Sequence, residues 1–559
     1  MFAASHEDLS NMGDEEDFST TGQSTHDLNS DSQVSSRDSR RSKLWSALSK
    51  AFYTTVYHFK RHAGAGVMAS VAYFDPGNWS VDLQAGSDFG YKLLFVILLA
   101  GVTAIVLQVL ACRLGCVTGL DLASHCRVLL HDHPRHPRLV RRLVLYPLYV
   151  LAETAIIATD LAELLGSAIA LNLIFPSLPL WAGVILTSLD VLVILAISDD
   201  DKGRPARLFE LIIVLLAIKV DPRWGEVFMG FLPSKTLIKP SALYTSIGIL
   251  GATVMPHALF LGSSLATLNR VSVAPAVLPS GTIQTESYSR RVVKYVRSLF
   301  YLNGYSEQDA PDRTTRHEHR NNNSYEFVSA HLKHGMVDII MSLSVFAIPI
   351  NSASVLTAVL LRILVLAGAV FFFNSGDSET DLGDSAGLFS VHDLIRERLG
   401  KSAALLFAFA LLAAGQSASI TATLTGQIVS EGFIEWKVSP FIRRLVTRLL
   451  GLIPSTLVAA LIGRNGIDQL LIASQVALSI VLPFVVFPLV YLTSSHVVMT
   501  VKVPLDPPSP PGSSTQIVKT PSVVPVKEVD YRNGKIMMTI GYLLFCLIVA
   551  ANIYALVTL

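Results

Sequence analysis

Residues 66–87 read GVMASVAYFDPGNWSVDLQAGS, an apolar run cut at its midpoint by Asp75-Pro76-Gly77-Asn78. Proline lacks the amide that a helix needs and glycine resists helical order, so this tetrapeptide unwinds a membrane-length span at its centre. Bare main-chain groups at bilayer depth persist only where protein or a water-filled cavity surrounds them. A charged side chain there costs about 2.5–3.5 kcal/mol on insertion scales. A cation beside Asp75 offsets that cost, with Asn78 and the freed carbonyls adding oxygen ligands. The plainer reading of the stretch alone is a proline kink near one membrane face.

A second interrupted span favours the cation. Residues 251–265, GATVMPHALFLGSSL, carry Pro256 in mid-run between Met255 and His257. Two broken helices at corresponding places in two halves of a chain mark a substrate site at the bilayer midplane. Proline at 256 frees a carbonyl of the preceding turn, that of Ala252, and Met255 offers sulfur. Alkaline-earth ions take all-oxygen sites, whereas a thioether suits softer transition metals. A methionine in a membrane helix is usually core filling; its place at the break argues for a ligand.

The surrounding chain is that of a polytopic membrane protein. Of its 559 residues, 51% are hydrophobic and 16% charged, and the mean hydropathy is +0.49, too apolar for a soluble protein of this size. A net charge of +1 gives no reason to expect a nucleic-acid partner. Cys112, Cys116, Cys126 and Cys546 are too few and too apolar in setting for a disulfide framework. Apolar runs predict about eleven spans, at 62–89, 92–114, 144–172, 180–198, 206–231, 241–268, 336–373, 402–425, 442–463, 468–494 and 535–558.

Residues 1–60 are expected to form a cytosolic N-terminal region, disordered through its Ser, Asp, Glu and Thr content, with no cleavable signal peptide before the first span. The transporter core is expected over 61–495, with a flexible cytosolic loop at 270–334, a proline-containing linker over 496–534 and a last helix over 535–559. Basic loops holding Arg135, Arg138, Arg141 and Arg142, then Lys202, Arg204 and Arg207, then Arg290, Arg291, Lys294 and Arg297 alternate with loops lacking them. This asymmetry puts the amino terminus in the cytosol. The Asn322 sequon then falls on the cytosolic side, out of reach of glycosylation. The run HCRVLLHDHPRHPR, with His125, His131, His133 and His136, reads as a basic juxtamembrane loop rather than a metal-collecting site.

The third span, AETAIIATDLAELLGSAIAL, embeds Glu153, Asp160 and Glu163. Glu153 and Asp160 are seven apart and share a helix face; Asp160 and Glu163 are neighbours. Buried carboxylates in a row suit a proton path, and ion pairing with Arg443, Arg444 or Arg448 of the ninth span is the structural alternative. Both roles stand, with Asp160 as proton carrier and Glu153 as the salt-bridge partner of Arg443 and Arg444. His257 is a further candidate for gating or proton coupling. Gln475, in SQVALSIVLPF, either gives an oxygen to the ion or bonds a neighbouring helix.

These residues resemble those of the natural resistance-associated macrophage protein (NRAMP) divalent metal/proton symporters. The resemblance rests on DPGN at 75–78, ATVMPH at 252–257, ATDLAELLG at 158–166, GQSAS at 415–419 and SQVALSIVLPF at 474–484, across about residues 60–495. MPHALFLGSS with WGEVFMGFLPS upstream is most similar to fungal members. The resemblance implies a LeuT-type fold: all-α, two inverted repeats of five helices with an extra C-terminal helix, helices 1 and 6 broken. It implies Mn2+ and Fe2+ as substrates with no resident cofactor, and Asp75, Asn78, Met255 and the Ala252 carbonyl as metal ligands, joined in the reading above by Gln475. Protons would move through Asp75, Asp160 and His257, with Glu163 beside them. Gly262 stands where many members carry a second histidine.

The expectation is therefore a proton-coupled importer working by alternating access in the plasma membrane or an endosomal or vacuolar membrane, and not an enzyme. Its partners are metal ions, protons and lipid. A metal-sensing receptor without net transport and a sodium-coupled amino acid carrier of the same fold are the alternatives.

Overall fold

A computed structural model describes residues 75–197, 224–269, 317, 320–344, 387–436, 440–504 and 526–558. The chain divides between Arg61 and His62, and every described residue lies in the second unit. The expected N-terminal tail, the first half of the first span, most of the fifth and the later part of the seventh lie outside the described residues.

The helices in chain order are α1 (Pro76–Phe89), α2 (Leu94–Thr118), α3 (Leu122–Leu130), α4 (Tyr146–Ile174), α5 (Leu180–Ile197), α6 (Trp224–Gly230), α7 (Pro240–Thr253) and α8 (Pro256–Leu265). They continue with α9 (Tyr325–Ser342), α10 (Leu388–Leu399), α11 (Lys401–Ile434), α12 (Pro440–Leu461), α13 (Arg464–Ser494) and α14 (Lys535–Thr558). Among the described residues six helical stretches are long and apolar enough to cross a membrane. The arginines of α12 interrupt its apolar run, and they matter below.

Two apolar clusters organise the packing. One joins α2, α7, α8 and α13, with Leu107, Ile249, Leu259 and Val485 at its centre. The other joins α1, α4, α10, α11 and α13 through Trp79, Leu83, Leu165, Leu411 and Leu471. Outward-facing positions are also apolar: Ile536, Leu543, Leu547, Ile553 and Leu556 of α14 are exposed. Apolar groups on both sides of a helix mean a lipid-facing exterior, since no water-facing helix keeps such a row.

Two boundaries differ from expectation. Helix α9 starts at Tyr325, inside the stretch read as a flexible loop, because Ser324 caps it by accepting from the Phe327 amide at 3.3 Å and Glu326 occupies the first turn. The linker expected over 496–534 contains an antiparallel pair, β1 (Thr500–Pro504) with β2 (Val526–Asp530), in the register Val501↔Val529. Side chains from distant segments anchor it. Asn322 donates its amide hydrogens to the carbonyls of Val498 and Thr500, at 2.8 and 2.7 Å. Arg113, near the end of α2, donates to Asn533 Oδ1 and the Tyr531 carbonyl at 2.9 and 2.7 Å. The sequon asparagine is thus a structural tie.

The histidine run begins as helix, not loop. His125 is buried in α3, its Nε2 at 2.8 Å from Thr118 Oγ1 and its Nδ1 at 2.8 Å from His317 Nε2. Thr118 gives its own proton to the Leu114 carbonyl at 2.7 Å, so His125 donates from Nε2 and receives the His317 proton at Nδ1. The His125 ring is therefore neutral, in keeping with its surroundings. Burial, then His317 and Arg320, hold His125 well below the ordinary histidine range, and burial with Arg320 pushes His317 down to about 4. His131 bonds instead to Asp132. The four histidines of the run do not converge.

Candidate metal and proton site

Asp75 stands immediately before α1 in extended conformation, and Pro76 fills the first helical position, where a missing amide costs nothing. The Asp75 carboxylate accepts from the amides of Gly77 and Asn78, each at 3.2 Å, and from the Asn78 side chain. The whole tetrapeptide is buried. These bonds fix the carboxylate at the mouth of a helix N-terminus.

The second break lies between α7 and α8, where Val254 and Met255 leave helical geometry at φ −99°, ψ 61° and φ −60°, ψ 121°. Pro256 has no amide to return to the Ala252 carbonyl, which is thereby released from the helical ladder. Ala252, Met255 and His257 are each 1% exposed. The unwinding predicted from proline placement is present in the backbone.

Gln475 of α13 lies where the two breaks meet. A side chain on Gly77 would stand 2.0 Å from Gln475 Nε2 and 2.8 Å from Asp75 Oδ2. One on Gly251, the residue before Ala252, would stand 2.1 Å from the Gln475 carbonyl oxygen. The absence of Cβ atoms at both positions lets one residue of α13 touch the first break and the end of α7 together. Gln475 Nε2 donates to Ser474 Oγ at 3.1 Å, while its Oε1 is buried with no hydrogen-bond partner among the described residues. A buried amide oxygen without a partner is a ready cation ligand. Among the described residues no three His, Cys, Asp or Glu side chains gather as a metal cluster, so any ion held here takes a mixed set of carboxylate, amide, carbonyl and thioether.

Behind this centre runs α4. Glu153 receives both carboxylate bonds from Arg443 Nη2, at 2.8 and 2.7 Å, so the expected pairing is present; the side chain of Arg444 lies outside the described residues. Asp160 lies 3.6 Å from Arg448 Nε, and both are buried. Arg448 also donates to Ser419 of α11. Glu163 is fully buried one turn further on. His257 reaches this row through Thr159: its Nδ1 is 3.1 Å from Thr159 Oγ1, whose own proton goes to Ala155 at 3.0 Å. The imidazole therefore donates from Nδ1. Thr159 thus ties His257 to α4 at the residue next to Asp160 in sequence.

Sequence reasoning missed Thr159 and Gln108. A buried amide inside the 25-residue apolar helix α2 was the available signal for the latter. Gln108 Nε2 donates to the Ala258 carbonyl at 3.2 Å, and a Cβ on Gly262 would fall 1.9 Å from that nitrogen. The amide of α2 occupies the space a side chain at 262 would need. Gly262→His is therefore expected to overpack the α2–α8 contact and destabilise the protein by about 1–3 kcal/mol. Adding Gln108→Gly should recover most of that loss. Thermal unfolding of the purified single and double variants checks this, and equal instability of the two would contradict it.

The profile of the family described as Natural resistance-associated macrophage protein-like matches residues 66–503. The chain is similar to the manganese transporter pdt1 of Schizosaccharomyces pombe, 41% identical over 461 residues, which are 80% of this chain and 77% of that one. It is similar to the iron transporter SMF3 of Saccharomyces cerevisiae, 35% identical over 531 residues, 91% and 98% of the two chains. A crystal structure of the Eremococcus coleocola manganese transporter superposes with a TM-score of 0.61 at 27% identity, covering 89% of this chain and 86% of that one. The profile runs through both helix breaks, the carboxylates of α4 and Gln475, and this chain belongs to the natural resistance-associated macrophage protein-like family.

Proposed function

We propose that this protein is a proton-coupled symporter that brings Mn2+ and Fe2+ into the cytosol by alternating access. The relatives named above are manganese and iron transporters, and the observation that carries the reading to this chain is Gln475. Its side-chain amide, with Oε1 unpartnered among the described residues, lies against Gly77 near the Asp75 carboxylate, and its main-chain carbonyl lies against Gly251, next to the turn that releases the Ala252 carbonyl. With Asn78 completing an oxygen-rich set and Met255 adding sulfur, the donors suit a divalent ion of intermediate softness. Asp160 carries the proton, with His257, held to α4 by Thr159, and Glu163 along the same helix as further members of the path. Glu153 and Arg443 anchor α4 to α12. About eleven spans in two inverted five-helix repeats, with α14 as the extra helix and the amino terminus in the cytosol, fit this reading.

Radiolabelled manganese uptake into proteoliposomes, with and without an inward proton gradient, is the test. Flux stimulated by the gradient is expected. Binding without flux would make the chain a metal-sensing receptor, and flux that follows sodium and an amino acid instead would make it a carrier of a different substrate.

A further inference from the structure

We propose that Asn552, on the C-terminal helix α14, is a positioning residue for Gln475: its side chain completes the broken turn of α13 at Ser479–Pro483 and makes that turn the pivot on which Gln475 moves against the metal. This rests on the reading of Gln475 as a metal ligand.

Helix α13 contains Pro483 and Pro488. In an α-helix the amide of residue 483 would bond the carbonyl of residue 479, and proline has no such amide. The Ser479 carbonyl is thus stranded inside a membrane span, where no lipid can satisfy it. Asn552 Nδ2 donates to it at 2.7 Å, and Ser479 Oγ donates back to Asn552 Oδ1 at 3.1 Å. The two-way contact fits an amide facing a carbonyl and a hydroxyl, since the amide supplies a donor and an acceptor without carrying charge. Asn552 is buried while its neighbours Ile553 and Tyr554 are exposed on an otherwise apolar helix. A lone asparagine in such a helix is disfavoured unless a partner helix uses it.

The turn it completes is the one that carries the site. Ser479 lies one helical turn beyond Gln475, on the same face. A Cβ on Gly251 would meet the Ser479 nitrogen at 2.6 Å as well as the Gln475 carbonyl at 2.1 Å. The segment 475–479 therefore touches Gly77 at the first break, Gly251 at the end of α7 and Asn552 on α14. An unbroken ladder of main-chain bonds would fix the direction of this segment relative to the rest of α13. A turn whose missing bond comes from another helix changes direction by letting go of one side chain, with the rest of the ladder intact. α14 then acts as the mount of the pivot rather than as a bystander at the lipid boundary.

The test uses the full chain in proteoliposomes and in detergent, with Asn552→Leu, Pro483→Ala and the two combined. Three readouts are taken: manganese binding, manganese uptake, and hydrogen exchange of segment 474–486 with and without manganese. Pro483→Ala returns an amide to the Ser479 carbonyl; it is expected to bind manganese within about twofold of the parent but to take it up about fivefold more slowly or worse. Its exchange should no longer respond to manganese. Asn552→Leu should lose uptake and exchange faster in every condition. The combined variant should recover the stability lost by Asn552→Leu and match Pro483→Ala in uptake, because the restored amide makes Asn552 dispensable.

Parent-like uptake by Pro483→Ala, or losses that multiply in the combined variant, would overturn the pivot. A parent protein that moves no manganese would overturn the transport reading instead, leaving the exchange comparison to judge the pivot by itself.

Discussion

Met255→Ala is expected to keep part of the manganese uptake while admitting calcium, with discrimination between the two ions falling about tenfold or more, a change of about 1.4 kcal/mol in relative binding. The other proposed ligands, from Asp75, Asn78, Gln475 and the Ala252 carbonyl, all present oxygen. Calcium accepts six to eight oxygens at flexible distances, and sulfur is the one donor in the set that it disfavours. Met255 leaves helical geometry immediately before Pro256 and is buried against the first apolar cluster. Its removal therefore does two things, deleting a thioether and opening a cavity, the second costing about 2–5 kcal/mol of stability. Met255→Leu separates them by keeping the volume and losing the sulfur. If sulfur selects the ion, both variants admit calcium in a competition uptake assay and only the alanine variant loses stability. If Met255 is core filling, calcium stays excluded from both.

The parts of this architecture that were legible in the sequence are those governed by single-residue chemistry. Pro76 and Pro256 remove amides whatever surrounds them, so the helix start at Pro76 and the break before Pro256 were readable from apolar runs alone. Glu153 within a span needed a cation, and the arginines at the start of α12 were the available ones. The contacts that turn the two breaks into one site are different in kind. Gln475 against Gly77 and Gly251, Gln108 against Gly262 and Asn552 against Ser479 each join residues far apart in the chain. No periodicity encodes such contacts, because a glycine shows only that a neighbour comes close and not which one. The start of α9 shows a local signal outweighed by composition. Ser324 and Glu326 formed a helix entry, yet the polar residues around them read as loop. The strands at 500–504 and 526–530 were hidden in the same way, their valines lying at the ends of a proline-rich stretch.

Asp160→Asn is expected to abolish the stimulation of manganese uptake by an inward proton gradient, while uptake per folded molecule at saturating manganese falls by no more than about threefold. The acid lies on α4 between Thr159, which holds His257, and Glu163 one turn on; it carries no proposed metal-ligand role. Its charge also faces the buried guanidinium of Arg448 at 3.6 Å, and Arg448 Nη1 donates to the Asp160 carbonyl at 3.5 Å. Removing one member of a buried ion pair leaves the other uncompensated, at a cost of about 3–5 kcal/mol. The asparagine variant will therefore be less stable as well as uncoupled, and instability alone could imitate a transport defect. Asp160→Leu combined with Arg448→Met removes both charges and keeps an apolar contact, which restores stability in a buried setting. If Asp160 carries the proton, the combined variant is stable and still shows no response to the gradient. If the acid only anchors α12 to α4, the response returns with the stability, and the proton must travel by another group of the same row, with Glu163 the nearest candidate.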